Sequence, residues 1–369
     1  MRFTRTLLAL AIVSTSGMAQ EPGKIAVESY TLANGLKVHL VEDHSSQVVA
    51  VDVWYDVGAR NERAGRTGFA HLFEHMMFQG SANVKKAEHF QFVEKAGGFL
   101  NGSTTIDRTN YFEVLPSNRL NLGLWLEADR MRSLAITQAN LDNQREAVKE
   151  ERRMRIDNQP YGGLNGVIYD HAFTTHPYKN QTIGSMADLE AASVNDVRQF
   201  HETFYVPENA TLTVVGDFDP EQVIALAQKL FNDWKSPLPY ARIPSRIAQG
   251  KPLQRDINTP DKANAVYRAG LSIALRDDHP DFPALLMGNY LLGGHSDSRL
   301  TRRIRHKEGL SYSVGSSFSA SSQDARADFG LFAIYAPQNR SKVDTAMREE
   351  MQRLLSEPVP AEEFDTARK

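Results

Sequence analysis

The sequence predicts an α+β protein built from two related units. Three observations carry this expectation. Short apolar, β-branched runs alternate along the chain with longer amphipathic stretches, so strands and helices are interspersed. A stretch rich in proline and polar residues, 236–252 in "KSPLPYARIPSRIAQGKP", lacks periodicity and reads as a linker. The chain beyond it echoes the chain before it. Laid over "DFPALLMGNYLLGGHS", "GFAHLFEHMMFQGS" brings Phe69 onto Phe282, Leu72 onto Leu285 and Gly80 onto Gly293.

In order along the chain, residues 1–19 come first. Arg2 and Arg5, an apolar run Leu7–Val13 and small residues ending at Ala19 have the layout of a secretory signal peptide. The run is too short to span a bilayer, so the expectation is an exported protein without a stable membrane anchor, most simply in a bacterial periplasm. A first domain is expected over 25–235. "KVHLVED" and "VVAVDVWYDVG" read as strands, and a turn-rich "ARNERAGRTG" leads into a helix at "GFAHLFEHMMF". "KAEHFQFVEKAGG" reads as a helix stopped by a Gly pair, "TNYFEVLP" as a strand and "NRLNLGLWLEADRMRSL" as an amphipathic helix. A charged helix runs through "LDNQREAVKEERRMRID", and more helix leads to the strand "ATLTVVGDF" and the helix "PEQVIALAQKLFNDW". After the linker a second domain is expected over 253–369, opening with a strand at "ANAVYRAGLSIAL" and a helix at "DFPALLMGNYLLGG".

Composition narrows the function. A net charge of −3 argues against nucleic-acid binding through bulk electrostatics. There is no cysteine, so the fold has no disulfide and any metal site must use His, Asp or Glu.

"GFAHLFEHMMF" places His71, Glu74 and His75 on an otherwise apolar helix, where each is costly to bury without a partner. The second copy has Ala284, Met287 and Gly288 at the same positions, so packing does not require the polar residues. Residues four apart on a helix lie one turn above each other, and His71 and His75 can direct their rings at one metal ion. Glu74 flanks the same face. H-x-x-E-H is the inverzincin signature, and zinc suits two imidazoles and a carboxylate with one position left open. Glu74 is then placed to take a proton from the attacking water. The bland reading is a satisfied core histidine. For the third ligand, "NQREAVKEERRMR" offers Glu146, Glu150 and Glu151, a run that otherwise reads as a solvated helix face.

With those residues quoted, the sequence resembles the M16 metallopeptidases, the family of pitrilysin, insulin-degrading enzyme and the mitochondrial processing peptidases. The resemblance implies two homologous α/β-sandwich domains, each a mainly antiparallel sheet flanked by helices, the second inactive. Members of the half-size class continue with further helix and strand beyond the point where "PVPAEEFDTARK" stops, so a fragment or an unusually short second domain is expected. The family's distant glutamate falls on Glu151, with Glu150 as fallback. A second family glutamate, seven residues earlier, is replaced here by Gln144. "GGFLNGSTTIDRTNYFEVLP" resembles the family's edge strand and its neighbour, which implies that Asn101 and Gly102 bind substrate by adding its strand to the edge. "LLGGHSDSRLTRRIRHKEGLSYSVGSSF" resembles the Gly-rich segment and R-x6-Y element of the C-terminal domains. That assigns Arg305 and Tyr312 to holding substrate and stabilising the oxyanion.

The function implied is a zinc endopeptidase with one Zn2+ per chain, acting on unfolded peptides, with Glu74 as general base. The same ligands accept manganese or cobalt. The family works as a four-domain chamber, so a homodimer or a heterodimer with a related M16 chain is implied. The alternative is a non-catalytic or partner-dependent structural subunit of an M16-type complex.

Overall fold

The computed structural model describes residues 25–173, 176–237, 265–273, 275–320 and 327–368. The expected signal segment and nearly all of the expected linker lie outside the described residues.

The first unit contains β1 (Glu28–Thr31), β2 (Lys37–Glu42), β3 (Val48–Tyr55), α1 (Phe69–Met76), α2 (Glu88–Lys95), β4 (Phe99–Thr104), β5 (Thr109–Pro116), α3 (Leu120–Ser133), α4 (Gln138–Arg152), α5 (Leu164–Ala172), α6 (Met186–Glu190), α7 (Val194–Phe204), β6 (Ala210–Gly216) and α8 (Pro220–Phe231). Six strands form one sheet in the order β1-β2-β6-β3-β5-β4. Only β2 and β6 are parallel; the other neighbours are antiparallel. The strand β6 therefore enters between two strands that are consecutive in sequence.

Alternation decides which face of this sheet is covered. Val49, Val51, Val53 and Tyr55 of β3 are buried with Tyr111 and Leu115 of β5 and Leu212 and Val214 of β6. They pack in one core with Phe69, Leu72, Phe73 and Met76 of α1, Leu124 of α3 and Val223, Ala227 and Phe231 of α8. Of the intervening residues on the other face, Val48, Trp54 and Val215 are exposed, Asn110 is buried and the rest are half-buried.

The second unit contains β7 (Ala265–Ile273), α9 (Phe282–Asn289), β8 (Ser311–Ala320), β9 (Ala327–Tyr335), α10 (Arg340–Ser356) and α11 (Ala361–Arg368). Its sheet, β7-β9-β8, repeats the antiparallel arrangement β3-β5-β4. The helix α9 covers the same residues as α1 under the alignment that pairs Phe69 with Phe282. A separate core joins Leu292, Leu300 and Ile304 to Leu331 and Ala333 of β9 and to Val343, Ala346 and Met347 of α10.

The structure differs from the sequence expectation at two helix ends. The α-helical path of α4 stops at Arg152 and residues 153–157 continue as a π-helical turn, as do residues 290–294 after α9. Periodicity of side chains does not register a change of backbone hydrogen-bond step over a single turn.

Candidate metal centre

The start of α1 is fixed by a glycine and by a carboxylate from the preceding loop. Gly68 has φ +86°, and a Cβ there would lie 2.7 Å from the carbonyl oxygen of Ile183. Only glycine allows that approach in the left-handed region. The buried carboxylate of Glu62 accepts the N–H groups of Gly68 and Ala70, both at 2.9 Å, which occupies orphan donors of the helix N-terminus. Phe69, Ala70, Leu72, Phe73 and Met76 then face the core and leave His71, Glu74 and His75 on the opposite flank.

The helix α4 runs against that flank. Its buried residues Leu141, Gln144 and Val148 mark one face, and Glu151, three residues after Val148, continues it. The structure therefore separates the three candidate glutamates. Glu146 and Glu150 point outward, paired with Lys149 and Arg153, and the Glu150 side chain is 57% exposed. Glu151 is 13% exposed, with Oε2 at 3.5 Å from Nε2 of His71 and 3.3 Å from Nε2 of His75. Its other oxygen accepts from Arg155 Nη1 at 2.7 Å. The fallback Glu150 is thus not brought to the histidines.

These separations test whether the donor set fits a metal. A charge-assisted N–H···O bond is about 2.7–2.9 Å long, so both contacts are too long to be direct bonds of that kind. Bonds of zinc to imidazole and carboxylate place tetrahedral ligand atoms about 3.3–3.6 Å apart. The observed 3.3 and 3.5 Å fall in that range, and the ligand atoms of all three residues lie within 4.8 Å of one another. The residues fit a zinc-like ion.

The surroundings prepare the ligands. Burial, helped by His75 and Arg155, lowers the pKa of His71 to about 3, which keeps its ring neutral as a ligand must be. Behind His75, Gln144 presents Oε1 at 3.3 Å from Nδ1, while its Nε2 donates to Asn143 at 2.7 Å. An amide oxygen there selects the tautomer with the proton on Nδ1 and frees Nε2. Glu74 accepts from Thr104 Oγ1 at 2.5 Å. Burial raises the Glu74 carboxyl above its ordinary value, and the hydroxyl of Thr104 works against that rise.

Asn101 and Gly102 lie on β4, the edge strand, just before Thr104. The Asn101 side chain accepts the N–H of Gly102 at 2.8 Å, and a Cβ on Gly102 would press on Tyr111 at 3.1 Å and Phe78 at 3.3 Å. Arg305 and Tyr312 belong to the second unit. The Arg305 guanidinium lies 4.8 Å from the centre of the Tyr312 ring, which is 82% exposed. Among the described residues neither makes a hydrogen bond or ion pair to the His71–His75–Glu151 cluster.

A second cluster, His89, Glu113 and Glu127, is wholly buried. Arg130 takes both oxygens of Glu127, with Nε to Oε2 at 3.0 Å, and stacks over Tyr111 at 4.5 Å. Burial and the neighbouring Glu127 push Glu113 well above the carboxylate range, so one negative charge faces one guanidinium. This is a neutralised core network, with its carboxylate already occupied.

Sequence reasoning did not single out Glu62, Thr104 or the Glu127–Arg130 pair. Glu62 lies outside the span of a capping box, and Thr104 comes to Glu74 only through the packing of α1 against β4.

Comparisons with known proteins bear on the family of the chain. Residues 37–185 match the family model described as Insulinase (Peptidase family M16), and residues 191–369 match Peptidase M16 inactive domain. The chain belongs to peptidase family M16. Among M16 relatives, Zinc protease PqqE of Helicobacter pylori is 38% identical over 226 residues, 59% of this chain and 51% of that protein. An uncharacterized zinc protease of Mycobacterium leprae is 30% identical over 325 residues, 83% of this chain and 68% of that protein. The match thus spans about half the length of the first relative. The crystal structure of a protease from Helicobacter pylori superposes with a TM-score of 0.85 at 30% identity, covering 93% of this chain and 83% of that one. Pitrilysin shares the fold at a TM-score of 0.72 and 18% identity, over 96% of this chain and 38% of its own. The M16 inactive-domain model begins at residue 191, inside the first unit, because β6 and α8 complete the first sheet and its cover.

Proposed function

We propose that this chain is a zinc-dependent endopeptidase acting on unfolded peptides, with His71, His75 and Glu151 as the metal ligands and Glu74 as the general base. The observation that carries the reading is the convergence of two imidazole nitrogens and one carboxylate oxygen at the spacing of tetrahedral ligand edges. Zinc in such a donor set supplies Lewis acidity, which polarises a peptide carbonyl and makes water more acidic.

The residues of the chain divide the remaining work. Glu74 takes a proton from the attacking water and delivers it to the departing amine, and its raised pKa brings it nearer to that task. Thr104 fixes the carboxylate through its hydroxyl. The outer edge of β4, unpaired among the described residues, offers main-chain donors and acceptors to an extended peptide, with Asn101 and Gly102 on the strand that receives it. Such pairing reads little of the peptide's sequence and requires it to be unfolded.

Arg305 and Tyr312 are assigned to substrate binding and oxyanion stabilisation, in a chamber formed with a second copy or a related M16 chain. Residues 1–19 are assigned to export. Light scattering on the active protein tests the pairing, and a strictly monomeric active species overturns it.

The deciding experiment is to assay the purified chain on unstructured peptides together with its metal content. Cleavage is expected to stop on chelation and to return with zinc. Cleavage indifferent to chelation overturns the assignment.

A further inference from the structure

The exposed face of the first sheet carries a guanidinium held in place and only partly used. Trp54 of β3 pairs with Asn110 of β5, and Asn110 pairs with Ser103 of β4, so the three stand in one cross-strand row. Arg108, in the turn joining β4 to β5, lies over this row. Its Cζ is 4.8 Å from the centre of the Trp54 ring. Its Nη1 donates to the Ser103 carbonyl at 3.1 Å, to the Ser103 hydroxyl and to Asn110 Oδ1 at 2.7 Å. Nε and Nη2 make no hydrogen bond to any described residue.

This arrangement has a chemical meaning. Nε and Nη2 are an adjacent pair of donors that a carboxylate can accept side by side. The stacking and the three Nη1 bonds remove rotamer freedom before any ligand arrives. The nearest acids do not occupy the fork. Asp52 is held by Asn110 Nδ2 at 3.0 Å and Glu74 by Thr104, and neither forms an ion pair with Arg108.

Position supplies the ligand. A peptide strand added to the free edge of β4 puts a side chain about 4.5–5.5 Å, Cβ to Cβ, from the residue opposite it. Opposite Ser103, that side chain extends the cross-strand row on which the Arg108 guanidinium lies. Thr104, the next residue, holds the proposed base on the other face of the same strand. We propose that Arg108, braced on Trp54, is a specificity-determining residue that receives a carboxylate of an extended peptide lying along β4. The inference rests on the peptidase reading for the peptide itself.

The test measures binding apart from cleavage. Full-length protein carrying Glu74→Gln is titrated by fluorescence anisotropy with neutral, C-terminally amidated peptides in which one Glu is scanned along the chain and compared with Gln. A parallel set is neutral throughout but keeps a free C-terminal carboxylate. Glu at one position, or the free terminus, is expected to tighten binding at least ~10-fold, as charge-assisted hydrogen bonds do. The arm that responds names the source of the carboxylate. Adding Arg108→Gln should abolish the preference, and Arg108→Glu should transfer it to Lys. Arg108→Lys keeps a cation but loses the fork, and should retain only part; it serves if the other variants fail to fold. The proposal is overturned if no peptide shows a carboxylate preference, if none binds, or if Arg108→Gln or Arg108→Lys leaves the preference intact. A preference that depends on Arg108, in a protein whose wild type cleaves nothing, upholds the carboxylate subsite and removes the peptidase reading instead.

Discussion

The side-chain oxygen of Gln144 stands 3.3 Å from Nδ1 of His75, on the side of the ring away from Glu151. A neutral amide thus stands behind a proposed ligand imidazole, where a carboxylate could have stood. Gln144→Leu is expected to weaken zinc affinity about 10–100-fold without removing a ligand. Competition with a chromogenic chelator measures this, and unchanged affinity would show that the amide contact does not orient the ring.

Glu74→Gln should retain zinc but lower kcat by at least ~10²-fold. Thr104→Val offers a finer measurement. Loss of the hydroxyl removes a contact that lowers the Glu74 pKa, so the acidic limb of the pH–rate profile should move to higher pH. A shift to lower pH, or none, would separate Thr104 from the base.

Metal-free protein should lose stability on acidification partly through His71. The folded ring titrates at about 3 against an ordinary 6.5, so between those values the unfolded chain binds the extra proton. The contribution of His71 is complete above about pH 6.5 and declines as the pH falls towards 3. Glu62 acts in the opposite sense. Burial raises its carboxyl from 4.5 to about 8, so its contribution is present below 4.5 and is lost as the pH rises through 8. Thermal melts of chelated wild type and His71→Leu at pH 7 and pH 4 isolate the first effect. The wild type should lose more stability between them, and equal losses would refute it.

Arg130→Ala should destabilise the first unit by about 3–5 kcal/mol, because it leaves the buried Glu127 charge without its partner. Denaturant midpoints of the metal-free protein give the value. An unchanged midpoint would show that the Glu127–Arg130 pair does not hold the core together.

Much of this molecule can be read from its sequence, for identifiable reasons. The strand β5 coincides with "TNYFEVLP" because alternation and flanking turns mark both ends. The histidine pair stands out because polar residues interrupt an apolar helix, and Glu151 is separated from Glu150 only by the buried face of Leu141, Gln144 and Val148. Other features depend on contacts that side-chain periodicity does not mark. Glu62 reaches the start of α1 across a loop, and Arg130 meets Glu127 and Tyr111 inside a core that composition alone would fill with apolar groups. Arg108 resembles any turn residue until strand pairing lines up Trp54, Asn110 and Ser103 beneath it.

The insertion of β6 between β2 and β3 has a consequence for the order in which the sheet can assemble. The residues that converge around the proposed metal come from 71–151, whereas the strand joining the two halves of the sheet ends at Gly216. Until β6 is placed, β1–β2 and β3-β5-β4 have no hydrogen-bonded neighbour in common and can pair only as separate ribbons. Contacts of such long sequence separation form slowly and leave strand edges open in the interval. The residues proposed to hold the ion thus lie in segments that precede, in sequence, the strand that closes the sheet carrying them.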